Sequence, residues 1–204
     1  MSMDLKRLNV LLDAETAKDL LADIEQCLYA FIHFRPDIGY VQGMPYFMWM
    51  LIIRMNKFQA FRMFCTIVVK DPLIYGLMTF NQTCIKSVTE FFCANLKEKK
   101  PKLSKHLEEH AITADIYLVE WAYTFFSRAF ELELASKIWD IWLCEGSSVF
   151  FRTALAILEL VEQQLLEKDY EGTLHLIKTC SNRLGEEELM RCIRKQKLSR
   201  EWTI

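Results

Sequence analysis

Apolar residues recur at spacings of three and four from residue 13 to residue 195, and nowhere do they alternate with period two over a useful length. A period near 3.6 puts such residues on one face of an α-helix, whereas a half-buried strand needs a period of two. The chain is thereby constrained to helices packed on helices. Its turn residues agree, because six Gly and four Pro in 204 residues are too few for a sandwich or barrel of many tight turns. No internal repeat and no Ser-, Gly- or Pro-rich linker divides the sequence. The expectation is all-α: about nine or ten helices in a single domain over residues 1–204.

Asp13 is a good cap for a helix through Phe34, with Leu20, Leu21, Ile24, Leu28 and Phe31 on one side. Pro36 and Gly39 break it, and a second helix is expected from Tyr40 to Met55, almost wholly apolar through Ile53. Lys57–Lys70 is amphipathic, with Phe58, Phe61, Phe64, Cys65 and Val68 sharing a face, and Asp71-Pro72 ends it. Further helices are expected over Thr79–Lys99, Leu103–His110, Thr113–Phe126, Leu132–Cys144, Ser147–Lys168, Asp169–Cys180 and Glu186–Lys195. Gly146 is a good stop between two of them and Ser147 a good start.

Several function classes are disfavoured by composition. A net charge of −2 supplies no basic field for nucleic acid or an anionic membrane, and Lys97–Lys102, interrupted by Pro101, reads as a surface turn. The seven cysteines are odd in number, widely spaced and free of CxxC pairs, which favours buried free thiols in a reducing compartment. Residues 1–12 lack the layout of a signal peptide, and the apolar run Met44–Ile53 is far short of the about 20 residues that span a bilayer. A cytoplasmic soluble domain is expected. The HxxEH string His106–His110 matches an inverted zincin pattern, but with one apolar residue between its histidines it reads as an exposed helix face. His33 and His175 are isolated. Trp121, Phe125, Trp139 and Trp142 recur at core spacing, and Glu131/Glu133 and Glu186/Glu188 suit the first turns of helices. No phosphate-binding Gly-rich loop or nucleophile elbow is present.

The stretch Arg35-Pro36-Asp37-Ile38-Gly39-Tyr40-Val41-Gln42-Gly43-Met44 remains. Gln42 is the single long polar side chain in the first turn of the expected second helix, with Tyr40 and Met44 turned to the core. It is either a capping residue or a presented functional group. A Gln amide donates to a phosphoryl oxygen while its carbonyl accepts from an attacking water, and an Arg spreads the charge on a transferring γ-phosphoryl group.

The string RPDIGYVQGM closely resembles the YxQGM motif of TBC domains, the GTPase-activating domains for Rab-type small GTPases. Residues 116–126 (IYLVEWAYTFF), 134–146 (LASKIWDIWLCEG) and 151–160 (FRTALAILEL) look like later helices of the same all-helical family. The resemblance covers residues 1–195. The family's arginine motif, IxxDxxRT, is similar to residues 1–8, with Asp4 and Arg7 in the matching places and Arg7 35 residues before Gln42. Met1 and Leu8 depart from the usual Ile and Thr, and the Phe-Pro that commonly follows is absent. TBC domains usually carry helices before this motif, so the resemblance implies a fragment or a domain lacking them.

It also implies a role for each matching residue. Gln42 would orient water, Arg7 would stabilise transition-state charge, Asp4 and Tyr40 would hold the two loops, and Gly43 with Met44 would shape the approach. No cofactor of its own is implied, since Mg²⁺ and GTP belong to the partner, a Rab GTPase in its GTP form. Regulation of vesicle trafficking follows, with peripheral association at endomembranes through that partner. The alternatives are a TBC module that binds the GTPase as an adaptor without stimulating it, and a helical scaffold with no GTPase partner.

Overall fold

The structure is a computed structural model that describes Asp4, Leu8 and residues 14–202. Asp4 and Leu8 are helical and buried. The helices that follow are α1 (Ala14–Phe34), α2 (Met44–Ile52), α3 (Lys57–Lys70), α4 (Pro72–Met78), α5 (Gln82–Lys99) and α6 (Pro101–Glu109). Then come α7 (Asp115–Thr124), α8 (Leu132–Glu145), α9 (Ser148–Leu160), α10 (Glu162–Leu166), α11 (Tyr170–Thr179) and, after a 3₁₀ turn at Cys180–Arg183, α12 (Glu186–Lys195). No strand occurs among the described residues, so the all-α expectation holds. Nor, among them, is any helix long and apolar enough to cross a membrane.

The short helix α2 sits at the centre because its sequence, MPYFMWMLI, has no polar face to give to water. Met44 through Leu51 are all buried, and α2 packs against α1, α3 and α7. Phe47 meets the rings of Trp139 and Trp142 of α8 at 5.3 and 6.1 Å, and Trp142 stacks on Phe125 at 3.9 Å. The Trp121, Phe125, Trp139 and Trp142 series is therefore core, as its spacing implied. Phe31 of α1 meets Phe64 of α3 edge-on at 4.9 Å, and Phe91 of α5 meets Phe151 of α9 at 4.7 Å. Aromatic pairs of this kind add to the area they bury.

The boundaries differ from expectation where caps and turns outweigh periodicity. The helix expected from Tyr40 begins at Met44, because Gly39 and Gly43 adopt left-handed φ of 69° and 105° and keep residues 40–43 out of the helix. Gln42 thus precedes the helix and is not in its first turn. Asp71 ends α3 and caps a further helix, α4, accepting from the Ile74 N–H at 3.1 Å with Pro72 in the first turn. The helix expected from Thr79 starts at Gln82, where Asn81 accepts from the Cys84 N–H at 3.1 Å. Ser147–Lys168 is two helices broken at Val161. Phe58, placed on the buried face of α3, is 68% exposed in the first turn that the Asn56 cap opens. The Asp13 cap lies outside the described residues. All seven cysteines are free, but Cys93 and Cys144 are exposed and Cys65 is half-buried, so burial of the thiols holds only for Cys27, Cys84, Cys180 and Cys192.

Asp71 joins the two halves of the core. Its carboxylate also accepts from the Trp142 Nε1–H at 3.0 Å and from the Ser147 hydroxyl at 2.8 and 2.9 Å, linking the α3–α4 corner to the end of α8 and the start of α9. Replacing it strands an indole and a hydroxyl and removes a helix cap. Asp71→Ala is expected to cost about 2–4 kcal/mol, read as a lower urea midpoint at unchanged slope, and Asp71→Asn markedly less.

Candidate functional site

The loop between α1 and α2 is fixed at both ends. Arg35 donates to Asp37 through Nε at 2.8 Å and a terminal nitrogen at 2.6 Å, which raises the guanidinium pKa and lowers that of the carboxyl. The N–H groups of Ile38 and Gly39 both turn back to the Arg35 carbonyl, at 3.1 and 3.0 Å. Further on, the half-buried Tyr40 donates to Asp4 at 2.5 Å, a contact spanning 36 residues of sequence. Asp4 itself is only 4% exposed. Val41 and Met44 are buried, and the Val41 N–H points at the Met44 sulfur at 3.4 Å. Gln42 is exposed between two buried neighbours, Val41 and Gly43.

Gly43 is where sequence and geometry meet most tightly. A Cβ built on it would lie 2.2 Å from the Tyr123 carbonyl oxygen. With φ at 105° as well, the position tolerates only glycine. Its near-contact sets the start of α2 against the end of α7. Tyr123 then donates its hydroxyl to the Leu77 carbonyl at 3.0 Å, tying α7 to the end of α4. Burial pushes the Tyr123 phenol above its ordinary pKa, so it remains a donor across the physiological range.

Beside Gln42 lies a cavity of about 500 Å³. Asp4, Gln42, Gly43 and Tyr46 form one wall, and Ile116, Val119, Tyr123 and Phe80 form the other. Asp115, Glu120 and Arg128 complete the rim, with Arg128 donating to Glu120 at 2.8 Å. Of the residues expected to act, Gln42, Gly43 and Asp4 share this cavity, and Tyr40 joins them through Asp4. Met44 is wholly buried and supports the loop from inside. Arg7 lies outside the described residues. Periodicity did not single out Phe80, Asp115 or Arg128, because a rim built from the end of α4 and from α7 with the turn after it has no signature in the spacing of one helix.

Among the described residues no group of three or more His, Cys, Asp or Glu side chains is placed to hold a metal ion. In the HxxEH string, His110 Nδ1 lies 2.8 Å from the His106 carbonyl and Glu109 pairs with Lys105 at 3.3 Å. The string lies on a helix, but His106 and His110 are half-buried where an exposed face was expected, and only Glu108 and Glu109 among its polar residues are exposed.

The Rab-GTPase-TBC domain family matches residues 1–166, which include both the loop and the cavity. The chain belongs to the TBC domain family. It is 32% identical over 188 residues to TBC1 domain family member 12 of Xenopus tropicalis, covering 91% of this chain and 27% of that protein. It is 31% identical over 182 residues to TBC1 domain family member 14 of Homo sapiens, covering 88% and 26%. The chain therefore spans about a quarter of the length of these relatives. The crystal structure of a Chlamydomonas flagellar RabGAP TBC domain superposes with a TM-score of 0.74 at 21% identity, over 86% of this chain and 59% of that one, a likeness of fold.

In this TBC domain the two loop glycines have different tasks. Gly39 has φ at 69° with open space where a Cβ would lie, so Gly39→Ala is expected to cost only about 1 kcal/mol of backbone strain. Gly43→Ala adds a collision with main chain and is expected to cost more than about 2 kcal/mol. Thermal melts of the two variants side by side check the contrast.

Proposed function

We propose that this TBC domain accelerates GTP hydrolysis on a Rab-type small GTPase, with Gln42 orienting the attacking water and Arg7 neutralising charge on the transferring phosphoryl group. The observation that carries the reading is the exposed amide of Gln42 between two buried residues, at the edge of a cavity whose walls are fixed by the Gly43–Tyr123 approach. The constraint on the backbone beside it limits where the amide can reach, and such positioning serves stabilisation of a developing charge. Its amide N–H donates to a γ-phosphoryl oxygen, and its carbonyl accepts from the water in line with the bond that breaks.

The Asp4–Tyr40 hydrogen bond supports the pairing of the two motifs. It ties the segment carrying Arg7 to the segment carrying Gln42. Leu8, on the other side of Arg7 in sequence, is fully buried where the family commonly has Thr. Mg²⁺ and GTP are carried by the partner in this reading, and control of membrane traffic follows from switching that partner off.

Single-turnover hydrolysis across a panel of GTP-loaded Rabs is the test. Gln42→Ala is expected to slow the stimulated rate about 10²-fold and Arg7→Ala about 10³-fold, with far-ultraviolet dichroism unchanged. Equal rates for wild type and both variants would overturn the assignment. The Met1 and Leu8 departures from the arginine motif favour a second reading, an adaptor that binds GTP-loaded Rab without stimulating it. That reading requires GTP-dependent binding while hydrolysis stays at its intrinsic rate.

A further inference from the structure

Three helices end in the same hydrogen-bonded cap, and each puts a non-glycine residue in the left-handed conformation that glycine normally fills. At the end of α4 the Asn81 N–H reaches the Gly76 carbonyl at 2.9 Å and the Phe80 N–H reaches Leu77 at 3.0 Å, with Phe80 at φ 51°. At the end of α6 the pattern repeats on Leu107 and Glu108, with Ala111 at φ 53°. After α7 it repeats on Trp121 and Ala122, with Phe125 at φ 41°. This is the Schellman arrangement, whose left-handed residue is under strain whenever it carries a Cβ.

Phe125 has an evident reason to be there, since it is wholly buried against Trp142. Phe80 has none of that kind: it is 57% exposed, and its one ring neighbour among the described residues, Tyr123, is 6.3 Å away. Strain retained at an exposed aromatic is a mark of function, because burial does not offset it. The position is also held rigidly relative to Gln42. Gly43 abuts the Tyr123 carbonyl, Tyr123 bonds Leu77, and Leu77 accepts from the Phe80 N–H.

We propose that Phe80 is the apolar anchor by which this domain grips its GTPase, setting which GTPase is accepted while Gln42 acts on the nucleotide. This rests on the reading that Gln42 faces a GTP-loaded partner. With Ile116 and Val119, Phe80 offers an apolar wall, and the exposed carboxylate of Asp115 lies on the same cavity. The matching surface is an apolar side chain flanked by a basic one, on the face of the GTPase that surrounds its γ-phosphate. Exposed aromatics that become desolvated at the middle of an interface carry much of its binding energy.

Phe80→Gly and Phe80→Tyr in the full chain test this against a Rab that the wild type stimulates. For Phe80→Gly, KM for the GTP-loaded GTPase should rise about 10-fold or more while kcat stays within about twofold. Its Tm should hold or rise by about 2 °C, because glycine relieves the cap. Phe80→Tyr should keep KM near the wild-type value. An unchanged KM in Phe80→Gly, or a Tm lowered by about 5 °C or more, overturns the anchor and leaves the Gln42 assignment standing. If the wild type stimulates no Rab but binds one, the reading of Gln42 as catalytic falls, and the same comparison in Kd decides the anchor. If it binds none, both fall.

Discussion

The approach of Gly43 to the Tyr123 carbonyl is the constraint from which the site follows. Helices α2 and α7 are far apart in sequence, and side chains alone would hold them at an ordinary interaxial distance. A main-chain contact with no Cβ between the two brings the start of one helix onto the end of the other. In the loop before Gly43, Val41 turns inward and Gln42 outward. Tyr123 passes the constraint on to α4 through its hydroxyl, so three helix ends meet around one cavity. None of these contacts involves Gln42 itself. Its amide stands exposed on a main chain that other residues hold in place.

That corner holds its shape because the interior beneath it does not yield. Helix α2 is buried on every side, and the rings of Phe47, Phe125, Trp139 and Trp142 interlock around it. Close-packed interiors deform little and in discrete steps. Asp71 adds the polar counterpart, a carboxylate that gathers a helix N-terminus, an indole and a hydroxyl from three elements. A capping aspartate at an ordinary helix boundary thus serves as the joint between the halves of the core.

The sequence showed helices far better than it showed how they end. Lys57–Lys70 and Glu186–Lys195 were legible to the residue, since each pairs clear periodicity with strong punctuation. The entry into α2 was not, because apolar residues run unbroken through Tyr40 and Val41 and only the φ values of Gly39 and Gly43 exclude them from the helix. The break at Asp71-Pro72 was legible, but the helix α4 that follows it was not, as one residue both stops a helix and caps the next. Gln42, Gly43, Asp4 and Tyr40 were legible as a motif and come together in space. Phe80 was not, since neither its exposure nor its left-handed φ has any signature in periodicity. The cavity it shares with Asp115 and Arg128 exists only once α2, α4 and α7 are assembled.

The charge around the cavity bears on how such a site can work at all. Its described lining carries the carboxylates of Asp4, Asp115 and Glu120, and its one guanidinium, Arg128, is already bound to Glu120. Asp4 is buried under Tyr40, so the exposed carboxylate of Asp115 and the Glu120–Arg128 pair are what this described lining offers a free nucleoside triphosphate, whose charges call for compensating cations. A phosphate-binding loop would present backbone N–H groups or a helix N-terminus instead. A GTPase that brings its own nucleotide and metal, as proposed above, would not meet that obstacle. On that proposal the acidic groups would favour a partner with a basic rim, since complementary charge speeds encounter. An acidic rim, an apolar wall and a neutral amide then stand side by side on one small surface, where the proposal divides recognition from chemistry.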